Sequence, residues 1–273
     1  QLNEFGLQPT AMAGHSTGEF TALCVAGCFT YEDGFKIVNK RAQCMAKASK
    51  MNVDPGTMLA VNAPEEYLCE KIAANDKLFF TNFNSPRQTV IGGATEEVEQ
   101  FKQMLDSDGH WNFQLPVSMA FHSPIMRVIR EELGDYIGEI PMQAPAIPVL
   151  SNTTCQPYPD DTEEIKKTII SHLEAPVHWQ DNVLSLVNDF GCRQFLEIGP
   201  QDTLCTLIQE CVKNVQCIKS CSAEDEVQAL QQSVSSLFVK GHITPTTITT
   251  ISLQQEPRKI SKEAVLNIIQ QEV

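Results

Sequence analysis

Residues Ala11–Phe20 read AMAGHSTGEF, and within this stretch Gly14, Ser16 and Gly18 form the pattern G-x-S-x-G. The pattern is typical of a sharp turn from a strand into a helix that presents a serine hydroxyl. Glycines lack a Cβ, so their backbones can approach closely in such a strained turn. We therefore predict a short strand before the serine and a helix, Gly18–Ala26, after it. The amides at the start of that helix favour negative charge that develops beside the hydroxyl.

The composition is that of a globular protein and argues against several function classes. Of the 273 residues, 42% are apolar and 20% are charged, a balance typical of globular domains. The sequence has no apolar run long enough for a membrane span and no signal-peptide pattern, so we expect a cytoplasmic protein without membrane association. The 34 acidic and 20 basic residues give a net charge of −14, which argues against nucleic acid as a partner.

The ten cysteines are scattered along the chain without C-x-x-C pairs. They also lack the regular spacing to histidines that is typical of zinc ligands. In a chain of this length, such a distribution predicts reduced thiols rather than a disulfide framework. We therefore expect no metal site.

The spacing of apolar residues after the turn predicts a second helix over Tyr31–Ser49. Its predicted buried face consists of Phe35, Val38, Ala42, Met45 and Ala46. Arg41 lies on this helix, 25 residues beyond Ser16.

From residue 57 to residue 119 the pattern changes to β-α-β-β-α-β, the order of a ferredoxin-like unit. Around this unit, strands alternate with helices, which predicts an α/β fold with a parallel sheet. The predicted organisation has three parts: a hydrolase-like large subdomain over residues 1–54 and 123–240, a ferredoxin-like small subdomain over 55–122, and a linker with a C-terminal helix over 241–273.

Several pieces of sequence together carry a resemblance to one family. The serine motif extends to G-H-S-x-G-E through His15 and Glu19, and residues 119–122 read Met-Ala-Phe-His. The segments Pro176–Trp179 (PVHW) and Phe195–Pro200 (FLEIGP) are similar to landmarks of the same family. On these residues the chain resembles the malonyl-CoA:acyl carrier protein transacylases, which are the acyltransferases of fatty-acid and polyketide synthases.

The resemblance implies a set of site residues. Ser16 would be the nucleophile and His122 its general base, while the backbone amide of Thr17 would donate to the oxyanion. Arg41 would form a two-point pair with the free carboxylate of a malonyl-type substrate, because the planar guanidinium matches a carboxylate in geometry. His15, which precedes the serine, would lie at the substrate site.

The resemblance also implies a substrate preference and a way of orienting the base. Phe121 would crowd the α-carbon of the acyl group and favour malonyl over methylmalonyl. Met119 would also contact the substrate, and it stands where malonyl-using members usually carry histidine. His172 stands where members often carry glutamine, at a position whose backbone carbonyl orients the catalytic histidine.

The implied reaction moves a malonyl-type group from CoA, through an acyl-serine, to the phosphopantetheine thiol of an acyl carrier protein. The domain itself would bind no cofactor. Expected partners are malonyl-CoA, an acyl carrier protein and the other domains of a synthase. In the family, a segment with a glutamine that completes the oxyanion hole precedes the serine motif. We expect that a second polypeptide supplies this segment or that the chain is a fragment.

Two other functions stay open from the sequence. The same groups could hydrolyse acyl thioesters as an editing hydrolase, although Arg41 argues against this because it would shield the acyl-enzyme. Alternatively, the domain could be a catalytically silent docking module of a synthase. The joint presence of Ser16, His122 and Arg41 argues against that second alternative.

Overall fold

The computed structural model describes residues 6–48, 50, 54–222 and 226–242. Contacts divide the chain into two compact units, one formed by Pro9–Ala229 and the other by Gln1–Gln8 with Leu230–Val273. None of the helices in the described ranges has the length and apolar composition needed to cross a bilayer.

Helices and strands alternate along the chain, as the predicted α/β class requires. The helices are α1 (Gly18–Val25), α2 (Tyr31–Ala48), α3 (Glu65–Ala73), α4 (Thr95–Ser107), α5 (Arg130–Glu139), α6 (Thr162–Ser171), α7 (Trp179–Asn188), α8 (Thr203–Cys211) and α9 (Glu226–Val239). The strands are β1 (Met12–Ala13), β2 (Thr57–Asn62), β3 (Leu78–Ser85), β4 (Gln88–Gly93), β5 (Trp111–Gln114), β6 (Val149–Leu150), β7 (Gln194–Glu197) and β8 (Gln216–Lys219). A 3-10 helix over Pro124–Ile129 leads directly into α5.

Strands β2 to β5 form one antiparallel sheet in the order β3-β4-β2-β5. The central strand β2 is buried on both faces, because Leu59 and Val61 pack with apolar residues of α3 and α4. On the opposite face, Met58 and Ala60 pack in a second cluster with Ala120. The element order β-α-β-β-α-β is the predicted order of a ferredoxin-like unit.

The remaining strands form two parallel pairs, β1 with β6 and β7 with β8. Met12 lies opposite Val149, and Ala13 lies opposite Leu150. The carboxyl ends of parallel strands meet at one edge. The turn that follows Ala13 therefore lies beside the loop that follows Leu150, and this is how the fold builds the site.

The segment before α7 extends the antiparallel sheet. The Val177 N–H donates to the Thr81 carbonyl at 2.8 Å, and the Phe83 N–H donates to the Val177 carbonyl at 2.8 Å. The four-stranded sheet is thereby joined to the rest of the unit. The division of Pro9–Ala229 into a large and a small subdomain, with boundaries after residues 54 and 122, stays a prediction.

The predicted buried face of α2 is wrong. Phe35 is 40% exposed and Val38 is 37% exposed, whereas Ile37 is fully buried and Cys44 is 2% exposed. The physical reason is that α2 packs against α5 through the Ile37 side. On that side Lys40 also pairs with Glu132, at 2.9 Å.

Other elements differ from the predictions in length or were missed. Strand β5 ends at Gln114, five residues before the predicted end, while the Leu115 N–H still donates to the Met58 carbonyl at 2.9 Å. Helix α8 was not predicted. Of the predicted linker and C-terminal helix, residues 243–273 lie outside the described residues.

Candidate active site

The serine turn connects β1 to α1, and its serine has a left-handed backbone, with φ of 53° at Ser16. A Cβ built on Gly14 would lie only 2.0 Å from the carbonyl carbon of Gly18, so position 14 tolerates no side chain. A Cβ on Gly18 would meet nothing within 4 Å. Close backbone approach therefore explains the first glycine of the motif but not the second.

Asn152, in the loop after β6, holds the strained turn. Its side-chain Oδ1 accepts the Ser16 N–H at 2.8 Å, and its Nδ2 donates to the Gly14 carbonyl at 2.7 Å. Asn152 is itself fully buried. A buried amide that satisfies two backbone groups of one turn fixes its conformation, because leaving either group unpaired would be costly.

Glu19, the last residue of the extended serine motif, anchors this asparagine. Its carboxylate accepts the Asn152 N–H at 2.7 Å and the hydroxyl of Tyr158. Glu19 is 1% exposed. Burial raises the pKa of Glu19 to about 7, against the lowering effect of the hydrogen bonds from Tyr158 and Asn152. The glutamate thus supports the turn indirectly, through Asn152, and its carboxylate does not face the substrate.

The Ser16 hydroxyl lies 2.7 Å from Nε2 of His122. His122 also has a left-handed backbone, with φ of 59°. Its Nδ1 lies 2.9 Å from the backbone carbonyl of His172, which can only accept, so Nδ1 carries the proton. The unprotonated Nε2 therefore faces the serine, as a general base requires. The structure has the carbonyl contact that the resemblance implied for position 172.

His122 and His172 are both neutral near pH 7. Burial lowers the pKa of His122 to about 3, with the Arg41 and His15 charges acting in the same direction. Burial also lowers the pKa of His172 well below its ordinary value. The two imidazole rings lie 4.8 Å apart. A neutral imidazole beside a serine is ready to accept a proton.

His15 lies on the other side of the serine. Its Nε2 lies 2.7 Å from Oδ1 of Asn84 on β3, and its ring packs edge-on against Trp179 at a centroid distance of 5.6 Å. Burial lowers the pKa of His15. The residue thus joins the serine turn to the antiparallel sheet and to the start of α7.

Arg41 reaches the site from α2. Its Nη1 donates to the Thr17 hydroxyl at 2.8 Å, and its guanidinium lies 5.7 Å from the centre of the Phe121 ring. The Nε atom is buried and has no hydrogen-bond partner. Among the described residues no carboxylate pairs with this guanidinium. Burial lowers the pKa of Arg41, which is the signature of a charge without compensation.

A cavity of about 180 Å³ opens over the serine. Its lining residues are His15, Ser16, Met58, Asn82, Asn84, Val90, Leu115, Val117, Phe121 and His122. Met119 does not line it: this residue is 2% exposed and packs in the core with α1 and α5, so its assignment as a substrate contact is corrected. A larger cavity, of about 350 Å³ beside Tyr158 and Lys167, is not lined by Ser16, His122 or Arg41.

The fold brings Ser16, His122, Arg41, His15, Thr17 and Phe121 together, as expected from the sequence. Sequence reasoning missed Asn152, Tyr158 and Asn84. Asn152 and Tyr158 belong to the loop after β6, and only the pairing of β1 with β6 brings that loop to the serine. A buried asparagine two residues after a short strand has no local sequence pattern that would single it out.

The chain matches one family model and is similar to several known proteins. A family model for the acyl transferase domain matches residues 1–244. The polyketide biosynthesis protein ThaF of Burkholderia thailandensis is 35% identical over 205 residues, which are 74% of this chain and 17% of that protein. The chain therefore spans only a small part of that relative's length.

A second relative is of similar size to the chain. The malonyl CoA-acyl carrier protein transacylase of Staphylococcus aureus is 32% identical over 225 residues, which are 80% of this chain and 72% of that protein. Among solved structures, a malonyl-transacylase in complex with its type II polyketide synthase acyl carrier protein superposes with a TM-score of 0.76 at 28% identity, covering 84% of this chain and 75% of that chain.

Proposed function

The chain belongs to the acyl transferase domain family, and from that premise we propose that it moves a malonyl-type acyl group from CoA to the phosphopantetheine thiol of an acyl carrier protein. An acyl ester on Ser16 is the intermediate. The observation that carries the proposal is the Arg41 guanidinium beside the Ser16–His122 pair, whose Nε is buried without a partner and which pairs with no carboxylate of the described residues. The reaction serves polyketide or fatty-acid synthesis and needs no bound cofactor.

In the first half-reaction, Ser16 Oγ attacks the thioester carbonyl while His122 Nε2 takes the hydroxyl proton. The tetrahedral intermediate then collapses, the carbon–sulfur bond breaks, and His122 returns the proton to the CoA sulfur. In the second half-reaction the carrier thiol gives its proton to His122 and attacks the acyl-serine. Collapse releases the acylated carrier and restores the Ser16 hydroxyl with the same proton.

The oxyanion is met by the backbone amide of Thr17. The Ser16 amide is already engaged by Asn152, and the Gly18 amide donates back to the His15 carbonyl at 2.9 Å. Of the amides in the turn, this leaves the one after the nucleophile, at the position where such turns provide an oxyanion donor. One donor of this kind typically lowers the barrier by about 2.7–4 kcal/mol.

Arg41 selects a carboxylated acyl group. A buried guanidinium without a partner is destabilising, and a malonyl carboxylate would supply the missing acceptors in a two-point geometry that lysine cannot match. Phe121, whose ring lies beside the guanidinium, restricts the space at the α-carbon and favours malonyl over methylmalonyl.

The carrier partner and a synthase context are part of the proposal. They are supported by two relatives, a polyketide biosynthesis protein and a malonyl CoA-acyl carrier protein transacylase.

Intact-mass measurement tests the function directly. The protein is mixed with malonyl-CoA, methylmalonyl-CoA and acetyl-CoA in competition, and an acyl carrier protein is then added. We expect one malonyl adduct, absent in Ser16→Ala, that passes to the carrier. No adduct with any of the three thioesters would overturn the enzymatic proposal in favour of a silent docking domain. An adduct lost to water rather than to the carrier would support an editing hydrolase instead.

A further inference from the structure

Outside the proposed catalytic site, the fold brings together three side chains of metal-ligand type. Cys155 lies in the loop after β6, His178 immediately precedes α7, and Asp181 lies in the first turn of α7. One ligand atom from each lies within 4.8 Å of the others. His178 Nδ1 is 3.3 Å from the Asp181 carboxylate. The sequence predicted no metal site, because its cysteines lack C-x-x-C pairs and a regular spacing to histidines.

We propose that Cys155, His178 and Asp181 bind one Zn²⁺ ion. Around a tetrahedral zinc, sulfur, nitrogen and oxygen ligands lie roughly 3.3–3.8 Å from one another, given bond lengths of about 2.0–2.3 Å. The observed separations need only small side-chain rotations to reach these values. A thiolate and an imidazole select a borderline-soft cation and disfavour Mg²⁺ and Ca²⁺, which prefer oxygen ligands.

The surroundings favour a site that is held in position and still open to solvent. The His178 ring stacks on Phe83 with centroids 5.1 Å apart, which fixes its orientation. Cys155 and His178 are half-buried and Asp181 is exposed, so an ion can enter from solvent. Three protein ligands leave a fourth position for water, as in zinc sites that are not purely structural.

The ion would join two segments that both contact the serine turn. The His178 N–H donates to the backbone carbonyl of Asn152 at 2.9 Å, and the Asn152 side chain holds Ser16 and Gly14. Trp179, next to His178, packs against His15. Cross-linking Cys155 to His178 would therefore restrain the loop that carries Asn152 and stabilise the folded protein.

Zinc titration of the chelator-treated protein tests the proposal without any acyl-transfer assay, so its outcome is independent of the proposed function. We expect one Zn²⁺ per chain, a Tm that rises with added Zn²⁺, and no response to Mg²⁺. Replacement with Co²⁺ should produce a thiolate-to-cobalt charge-transfer band.

Cys155→Ser, His178→Gln and Asp181→Asn should each weaken zinc binding by at least about tenfold, since even indirect partners of a metal site contribute 10–100-fold. Cys69→Ser removes an exposed cysteine on α3 and should leave binding unchanged. Asp181 is exposed, so Asp181→Asn should fold. It can therefore replace Cys155→Ser in the test if that variant does not fold. Equal zinc affinity in Asp181→Asn and the unmodified chain would overturn the proposal. A zinc effect that disappears in His122→Asn but persists in Cys155→Ser would also overturn the proposal.

Discussion

Around Ser16 the strained turn is held by partners within the protein, whereas around Arg41 one buried nitrogen of a charged group has no partner. Asn152 holds the Ser16 N–H and the Gly14 carbonyl, and Glu19 in turn holds Asn152. On the arginine side, one guanidinium nitrogen donates to Thr17, while Nε stays buried and unpaired.

The difference separates two tasks. A group that makes and breaks bonds must be positioned before the substrate arrives, and the free energy for this comes from hydrogen bonds and packing within the fold. A group that recognises the substrate keeps its hydrogen-bonding capacity for the ligand, which lowers the stability of the ligand-free protein. Substitutions in the two regions should therefore affect stability and activity in different combinations.

The largest expected effect is on acyl transfer in His122→Asn. Asparagine tolerates the left-handed backbone of this position, so the fold should persist while the base is lost. We expect the rate of acyl-serine formation to fall by about 10⁴-fold or more, measured by rapid quench and intact mass. Because the two residues act as a unit, the overall rate of malonyl transfer in Ser16→Ala combined with His122→Asn should be no lower than in Ser16→Ala alone. Activity of His122→Asn within tenfold of the unmodified chain would contradict the assignment.

The second effect concerns stability and compares the two glycines of the motif. In Gly14→Ala the new Cβ would lie 2.0 Å from a backbone carbon, and we expect the free energy of unfolding to fall by about 3 kcal/mol or more. Gly18→Ala is the matched control, since its Cβ meets nothing within 4 Å and alanine favours the helix by about 1 kcal/mol. Denaturant titration measures both. Equal losses in the two variants would show that the close approach at position 14 is not what requires glycine.

The motifs around Ser16, Arg41 and His122 allowed the site to be anticipated from sequence, because each residue type is tied to a defined backbone context. The ferredoxin-like unit was equally accessible, since its strands and helices show clear apolar periodicity. The contribution of Asn152 could not be anticipated from the sequence. It depends on the register of β1 against β6, which brings together residues far apart in the chain.

Two helices show a second limit of sequence reasoning. Helix α2 has two apolar stripes, and the periodicity could not decide between the side of Phe35 and the side of Ile37. Packing against α5 decided it. Helix α8 was missed because its short sequence, TLCTLIQEC, contains two threonines and two cysteines, which have low intrinsic helix propensity. Tertiary burial of Leu207 and Ile208 stabilises it instead.

The third prediction tests the arginine side of the comparison. In Arg41→Met the efficiency of malonyl transfer should fall by about 10²-fold or more, because charge-assisted hydrogen bonds worth about 1.5–3 kcal/mol each are lost. Acetyl transfer should be unaffected. The free energy of unfolding should change little, since the hydrogen bond to Thr17 is lost while a buried, unpaired Nε is removed. Competition between malonyl-CoA and acetyl-CoA, with denaturant titration in parallel, measures both.

Arg41→Lys serves as its control. It keeps the positive charge but not the planar fork, so we expect a malonyl efficiency between that of the unmodified chain and that of Arg41→Met. If Arg41→Met lowered stability as much as Gly14→Ala and left the malonyl preference intact, the distinction between the two regions would fail.

The smallest effect is a pH dependence of stability that originates at Glu19. Burial raises its folded-state pKa to about 7 from the ordinary value of 4.5. The folded protein therefore keeps a proton that the unfolded chain releases, and the resulting stabilisation is full below about pH 4.5 and is lost as the pH rises through about 7.

Glu19→Gln mimics the protonated form and removes this dependence. The free energy of unfolding of Glu19→Gln minus that of the unmodified chain should be larger at about pH 8 than at about pH 5. His122 and His172 act in the opposite direction, since their lowered pKa values favour the fold at higher pH. They are present in both proteins, so the difference between the two unfolding curves isolates Glu19. A difference that does not change with pH would show that Glu19 stays ionised beneath the serine turn.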